Sequence, residues 1–177
     1  FCALPELRVT LSHYAQGGGS RIAPGNHPWV FSSLDLWTII EKARTMTTDL
    51  QIDNLQANKE NAIAFYRTAF LGNPKEAVET YVGDQYIQHN PLVGNGKDAF
   101  IEYFTQMQVG YPDKSIEFVR AVAEGDLVAL HTHQTWPGND EYVTMDFFRF
   151  DEEGKIVEHW DSIQQIPEAT LNGNTMY

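Results

Sequence analysis

Cysteine is almost absent from this chain of 177 residues: Cys2 is the only one. One thiol cannot build an intrachain disulfide framework, and neither a CxxC pair nor a Cys-rich zinc site can be assembled from it. A reducing cytoplasm is the compartment expected for such a chain. Positive charge is scarce as well. Twelve Lys and Arg stand against 24 Asp and Glu, giving a net charge of −12. That balance, with no basic stripe, excludes nucleic acid and anionic membrane surfaces as expected partners. Apolar runs are short, and none approaches the roughly 18 residues of a membrane helix. The opening FCALPELRVTLSHY has neither the basic n-region nor the sustained apolar core of a signal peptide. There is no GxSxG elbow and no cysteine after residue 2 to act as a nucleophile. VGNGKD, Val93–Asp98, lacks the glycine spacing of a phosphate loop and reads as the approach to a helix. What is present, 42% hydrophobic residues and 20% charged, suits one globular domain with its own core.

The chain reads as two pieces of unequal regularity. Residues 1–45 hold QGGGS, APGNHP and isolated aromatics, with only a weak helical period in SLDLWTIIEKA. Together with Met46 as a natural-looking start, this predicts an extension foreign to the domain or disordered over 1–45, and a single domain over 46–177. The alternative is a native arm with a short helix over Ser33–Ala43. From Asn58 onward the pattern sharpens. NKENAIAFYRTAFLG places Ala62, Phe65 and Ala69 on one helical stripe, and Gly72 suits its C-terminal cap. NPKEAVETYVG opens with Asn73 and Pro74 and closes on Gly83; GKDAFIEYFTQMQVGYP is stopped by Gly110 and Pro112. DQYIQHNP is a short strand between these last two helices. SIEFVRAVA, LVALHTHQTW, EYVTMDFFRF and KIVEHWDSIQQI follow as strands joined by the short turns EGD, PGND and DEEG. Helices first and hairpin-linked strands after predict an α+β fold: three helices on one strongly curved, mainly antiparallel sheet, leaving a cone.

Alternation along the strands then picks out candidate residues. In the last strand Val157, His159, Asp161 and Ile163 share a face, apolar at its ends and ionisable in the middle. Ile156, Glu158, Trp160 and Ser162 share the other. Tyr142, Thr144, Asp146, Phe148 and Phe150 share a face with one charge among aromatics. Leu127, Ala129, His131 and His133 fall together on a third strand. Taken singly, each has a plainer reading: a solvated Asp, a rim His, a packing Trp. Together they predict a polar cavity, because a carboxylate buried without donors costs several kcal/mol and must find partners or shift its pKa. Phe65, Phe100, Phe104, Trp136 and Phe148 are expected to shape its walls, with Trp136 also a substrate contact.

YIQHNP, the His-rich strand and GKIVEHWDSIQ together resemble the SnoaL-like polyketide cyclase family, within the nuclear transport factor 2-like and ketosteroid isomerase-like superfamily. The resemblance spans roughly residues 58–167, and the nearer likeness is to its bacterial aldol-condensation branch. It implies a cystatin-like α+β cone, no cofactor, a small-molecule substrate, and a homodimer formed through the sheet. It also implies that Asp161 is the general acid/base and that Asn90 lines the pocket beside His89. Where the family carries a Gln and a His two residues apart, this chain has Thr144 and Asp146.

The function expected is cofactor-independent acid/base catalysis of the aldol-condensation, cyclase or isomerase type on a small, mostly apolar carbonyl compound. Asp161 would remove a proton α to the carbonyl, and His89, His131 or protonated Asp146 would donate to the enolate oxygen. Two carboxylates in one apolar pocket should be driven apart in pKa; ketosteroid isomerase is the known worked case of that logic. Asn90, His131, His133, Thr144 and Trp136 would contact substrate. The alternative is a non-catalytic, small-ligand-binding dimeric module of the same fold. A metal would require His131 and His133 completed by His89 or Asp161; none is expected.

Overall fold

The computed structural model describes residues 33–138 and 140–177. Most of the extension expected over 1–45, Cys2 included, lies outside the described residues. By compactness the chain divides between Ile39 and Ile40. The described part of the first unit is the opening of helix α1 (Ser33–Phe70). The second unit holds the rest of α1, then α2 (Pro74–Tyr81), β1 (Val82–Gln88), α3 (Lys97–Gly110), β2 (Ser115–Glu124), β3 (Leu127–Trp136), β4 (Asp140–Phe150) and β5 (Ile156–Gln165). The fold is α+β, with three helices and a curved, mainly antiparallel five-stranded sheet. No helix among the described residues is long and apolar enough to cross a membrane.

Helix α1 starts well before the predicted Asn58. No Gly or Pro interrupts residues 33–70, so nothing breaks the helix, although every residue from 36 to 54 is exposed. Its end follows the pattern of a Schellman cap. Gly72 has φ +111, and the Asn73 and Gly72 N–H groups donate to the Thr68 and Ala69 carbonyls at 3.0 and 3.3 Å. The last three turns bury Ala62, Phe65, Tyr66, Ala69 and Phe70 against the sheet. Phe65 stacks on Phe100 of α3 at 5.2 Å and meets Phe148 of β4 edge-on at 5.9 Å. One aromatic thus ties both long helices to the sheet.

The strand order is β1-β5-β4-β3-β2, antiparallel except where β1 runs parallel to β5. Gly83 does not close α2 as expected. It lies inside β1, where a Cβ would come within 2.8 Å of Asp151 Oδ2 and 3.0 Å of Val157 Cγ1. The close approach of β1 to the foot of β5 selects the glycine.

On two strands the inward face is not the expected one. On β3 the buried set is Val128, Leu130, Thr132 and Gln134. Leu127, Ala129, His131 and His133 therefore face the other side of the sheet. On β5 the pairing steps from Arg149↔Glu158 to Phe150↔Ile156, leaving Val157 unpaired as a bulge. The extra residue turns Ile156 inward, fully buried beside Phe150, so Ile156 shares the inner face with His159 and not with Trp160. Val157 lies outside that core, against Gly83. Ile156→Ala should lower stability by about 2–5 kcal/mol, and Val157→Ala by only about 1 kcal/mol. Urea denaturation of the two variants checks this; equal losses would argue against the bulge.

Candidate active site

The inner face of the sheet, α1 and α3 enclose a cavity of about 320 Å³. Its walls are aromatic, with Phe65, Phe100, Tyr103, Phe104 and Trp136 among them, and its polar end is formed by Asn90, His159 and Asp161. That end is built by register. β4 and β5 pair Thr144 with Ile163, Asp146 with Asp161, and Phe148 with His159. Cross-strand partners share a face, so one pleat of each strand delivers both acids and the imidazole to the same place. β1 adds Gln88 opposite His159.

Asp161 lines the cavity. Its Oδ2 accepts a 2.7 Å hydrogen bond from Asn90 Nδ2, and Oδ1 has no partner among the described residues. Asn90 is held in turn by its own Oδ1, which accepts from the Leu92 N–H at 2.8 Å. Asp146 sits beneath the cavity with no exposed surface. The Thr144 hydroxyl donates to its Oδ2, and His159 Nε2 stands 3.2 Å from its Oδ1. Thr132 Oγ1 lies 2.7 Å from Thr144 Oγ1. Since Thr144 has given its proton to Asp146, Thr132 must be the donor of that pair. His159 is clamped between Asp146, Gln88 Oε1 at 3.0 Å from its Nδ1, and the Phe148 ring stacked at 4.6 Å.

Burial pushes the Asp146 carboxyl above its ordinary value. Its hydrogen bond to His159, the charge of that ring and the Thr144 hydroxyl pull against the rise, while nearby Asp161 adds to it. Burial also raises the hydroxyls of Tyr66 and Tyr86, helped by Asp146 and Asp161. Tyr103 is raised by burial and then by Asp161. These phenols therefore keep their protons at neutral pH and are available as donors.

Several residues singled out in the sequence stand elsewhere. His89 does not line the cavity: its Nε2 pairs with Glu158 Oε1 at 2.9 Å and its ring stacks on Trp160 at 4.9 Å, on the opposite face of β5. Neighbours on an extended chain point opposite ways, so the inward turn at Asn90 sends His89 outward. His131 and His133 are on the outer face of β3. His131 Nδ1 accepts from Arg120 Nη1 at 2.8 Å, and His133 stacks on Tyr177 at 3.8 Å. None of the three can donate into the cavity, and the metal set built on them cannot form. Thr144 is fully buried beneath the cavity and not among its lining; Trp136 is in the lining, its Nε1 donating to Gln134 Oε1 at 3.2 Å. Among the described residues, Asp146, His159 and Asp161 alone bring three potential metal donors together, within 4.8 Å. Thr144 and His159 engage the two Asp146 oxygens and Asn90 engages Asp161 Oδ2, which leaves Asp161 Oδ1 without a partner among the described residues. Gln88 was missed by sequence reasoning, whereas His159 was placed on the inward face with Asp161 but given no role of its own. The signal for Gln88 was available, because it shares parity with Tyr86 and Asn90.

Residues 62–159, more than half of the chain, match the SnoaL-like domain. The chain belongs to the SnoaL-like family. The match stops at His159, two residues before Asp161. No curated protein matches the sequence. Among solved structures, a candidate polyketide cyclase from Bacillus cereus is similar at 20% identity and a TM-score of 0.54, over 60% of this chain and 74% of its own. A candidate ketosteroid isomerase from Kribbella flavida is similar at 16% identity and a TM-score of 0.53, over 66% and 84%. A candidate isomerase of the SnoaL-like family from Agrobacterium tumefaciens is similar at 13% and 0.52, over 60% and 97%. At these identities the likeness is one of fold.

The raised Asp146 value has a consequence for stability. Between the unfolded and folded pKa values only the folded state holds the proton, so stability falls as pH rises through that window. Asp146→Asn keeps the pairing, its amide donating to His159 Nε2 and its carbonyl accepting from Thr144, and removes the titration. Wild type should lose stability relative to Asp146→Asn as pH climbs above the ordinary carboxyl value of about 4. Urea midpoints measured across that range check it; parallel profiles would sink the assignment.

Proposed function

We propose that this protein catalyses cofactor-independent proton transfer at the carbon α to a carbonyl, in an aldol-condensation, cyclisation or isomerisation, on a small and mostly apolar compound held in the aromatic cavity. The observation that carries this reading is Asp161: a carboxylate at the polar end of an apolar cavity, fixed through one oxygen by Asn90 and open at the other. Asp161 takes the α-proton onto Oδ1. The electron pair moves to the carbonyl oxygen, which becomes an enolate. Tyr103, a protonated phenol in the cavity wall, donates to that oxygen. The enolate then either recovers the proton at another carbon from Asp161, or attacks a second carbonyl whose oxygen, as it becomes an alkoxide, takes the proton from Asp161. Tyr103 takes the donor role first expected of His89, His131 or Asp146.

Among the described residues the cavity lining includes Asp140 and Asp161 and no Lys or Arg, which favours an uncharged carbonyl compound over a carboxylate or phosphate. The test is turnover of a panel of neutral ketones and aldehydes and their carboxylated analogues. Asp161→Asn should lower kcat by about 10²- to 10⁴-fold while leaving ligand affinity within a few-fold. Unchanged turnover in this variant would remove Asp161 from the chemistry. Ligands that bind equally to both proteins and emerge unaltered would instead support the binding-module reading.

A homodimer through the outer sheet face is part of the same proposal. Val122, Met145 and Phe147 are exposed there at 65%, 48% and 45%, and Trp160 pairs across strands with Phe147. Phe147→Glu should convert a dimer to a monomer in sedimentation velocity; a monomeric wild type would end this part of the reading.

A further inference from the structure

Gln88, the last residue of β1, makes three contacts that settle which of its atoms is which. Its Oε1 lies 2.9 Å from the Asn90 backbone N–H and 3.0 Å from His159 Nδ1, and its Nε2 donates to Tyr86 Oη at 3.2 Å. A backbone N–H can only donate, so the Gln88 atom facing Asn90 is the carbonyl oxygen and the amide cannot be turned over. The same oxygen faces Nδ1, so Nδ1 must carry a proton. The other ring nitrogen, Nε2, is then the one that shares a proton with Asp146. Asn90 is oriented by the same logic: the Leu92 N–H claims its Oδ1, which leaves Nδ2 to hold Asp161.

We propose that Gln88 is the positioning residue of this site, its single side-chain oxygen fixing His159 as the Nδ1–H form while seating the backbone of Asn90, the residue that holds Asp161. With Nδ1 committed outward to Gln88, the Asp146–His159 pair contains one proton between Asp146 Oδ1 and Nε2, wherever on that line it sits. The pair is then neutral as a unit. The groups packed on the ring are Asp146, Gln88 and Phe148, with Asp161 within 4.8 Å, and none of the others offers Nδ1 an acceptor. This deepens the reading of Asp161 as the base, and it is tested by a readout that needs no substrate.

The experiment is a long-range ¹H–¹⁵N correlation spectrum of the imidazoles in the full ¹⁵N-labelled chain, with the His159 signals assigned by their loss in His159→Asn. On the high-pH side of the ring titration, wild type should show Nδ1 protonated. Gln88→Leu keeps bulk but offers no acceptor, and should shift the ring toward the Nε2–H form. Gln88→Glu, whose carboxylate accepts from both Nδ1–H and the Asn90 N–H, should restore the wild-type pattern. An unprotonated Nδ1 in wild type overturns the proposal, and that spectrum decides it even if Gln88→Leu fails to fold. An unchanged tautomer in folded Gln88→Leu overturns it equally. Asp161→Asn should leave Nδ1 protonated, so failure of the catalytic role of Asp161 and failure of the role of Gln88 give different results.

Discussion

A carboxyl group that sees no water governs the inner face of this sheet. Asp146 is fully buried, and an unpaired carboxylate there would cost several kcal/mol. The fold answers with a polar line that crosses four of the five strands: Thr132 on β3, Thr144 and Asp146 on β4, His159 on β5 and Gln88 on β1. Each group uses its facing donors and acceptors on the next, so the line is costly to break at any one point. The aromatic residues around it do the complementary work. Phe65, Phe100 and Phe148 exclude water from the region in which these hydrogen bonds form, and so strengthen them.

That line exists only because β5, the last strand in the chain, is inserted between β4 and β1. The parallel β1–β5 pairing sets Gln88 beside His159 across 71 positions of sequence. The bulge at Val157 makes the insertion compatible with a core. Without the extra residue, the alternation that turns His159 and Asp161 inward would turn Ile156 outward, and the foot of β5 would lose its contact with Phe150. The bulge lets one strand serve the apolar core at its start and the cavity from its middle onward.

This also explains what could and could not be read from the residues in order. The three helices, the four hairpin-linked strands and the inward face of β4 follow from local periodicity and turn residues, although α1 begins well before the predicted Asn58 and Gly83 falls within β1. The inward placement of Asp161 was legible for the same reason, and that of Asn90 followed from the family resemblance. The foot of β5 was not, because a bulge is a property of the pairing and leaves only a weak trace in one strand's own sequence. On β3 both parities are half apolar, Val128 and Leu130 against Leu127 and Ala129. Composition therefore could not say that the histidines, and not Thr132 and Gln134, are on the outside. His89 was misplaced by reading chemistry ahead of geometry, since it and Asn90 cannot both point inward. Gln88 went unnoticed because its importance comes from a partner on another strand.

The contrast between the two aspartates follows from their places on that line. They are direct cross-strand partners on one face, yet Asp146 is sealed and Asp161 opens on the cavity. On the proposed reading Asp146 shares its proton with His159, and the buried pair then contributes no net charge to the cavity. Two ionised carboxylates at this range would repel, and a neutral pair beneath the cavity removes that repulsion. In a chain with twice as many acidic as basic residues, 24 against 12, the useful arrangement is a histidine that neutralises one acid. In its neighbour one oxygen is held by Asn90, and the other has no partner among the described residues.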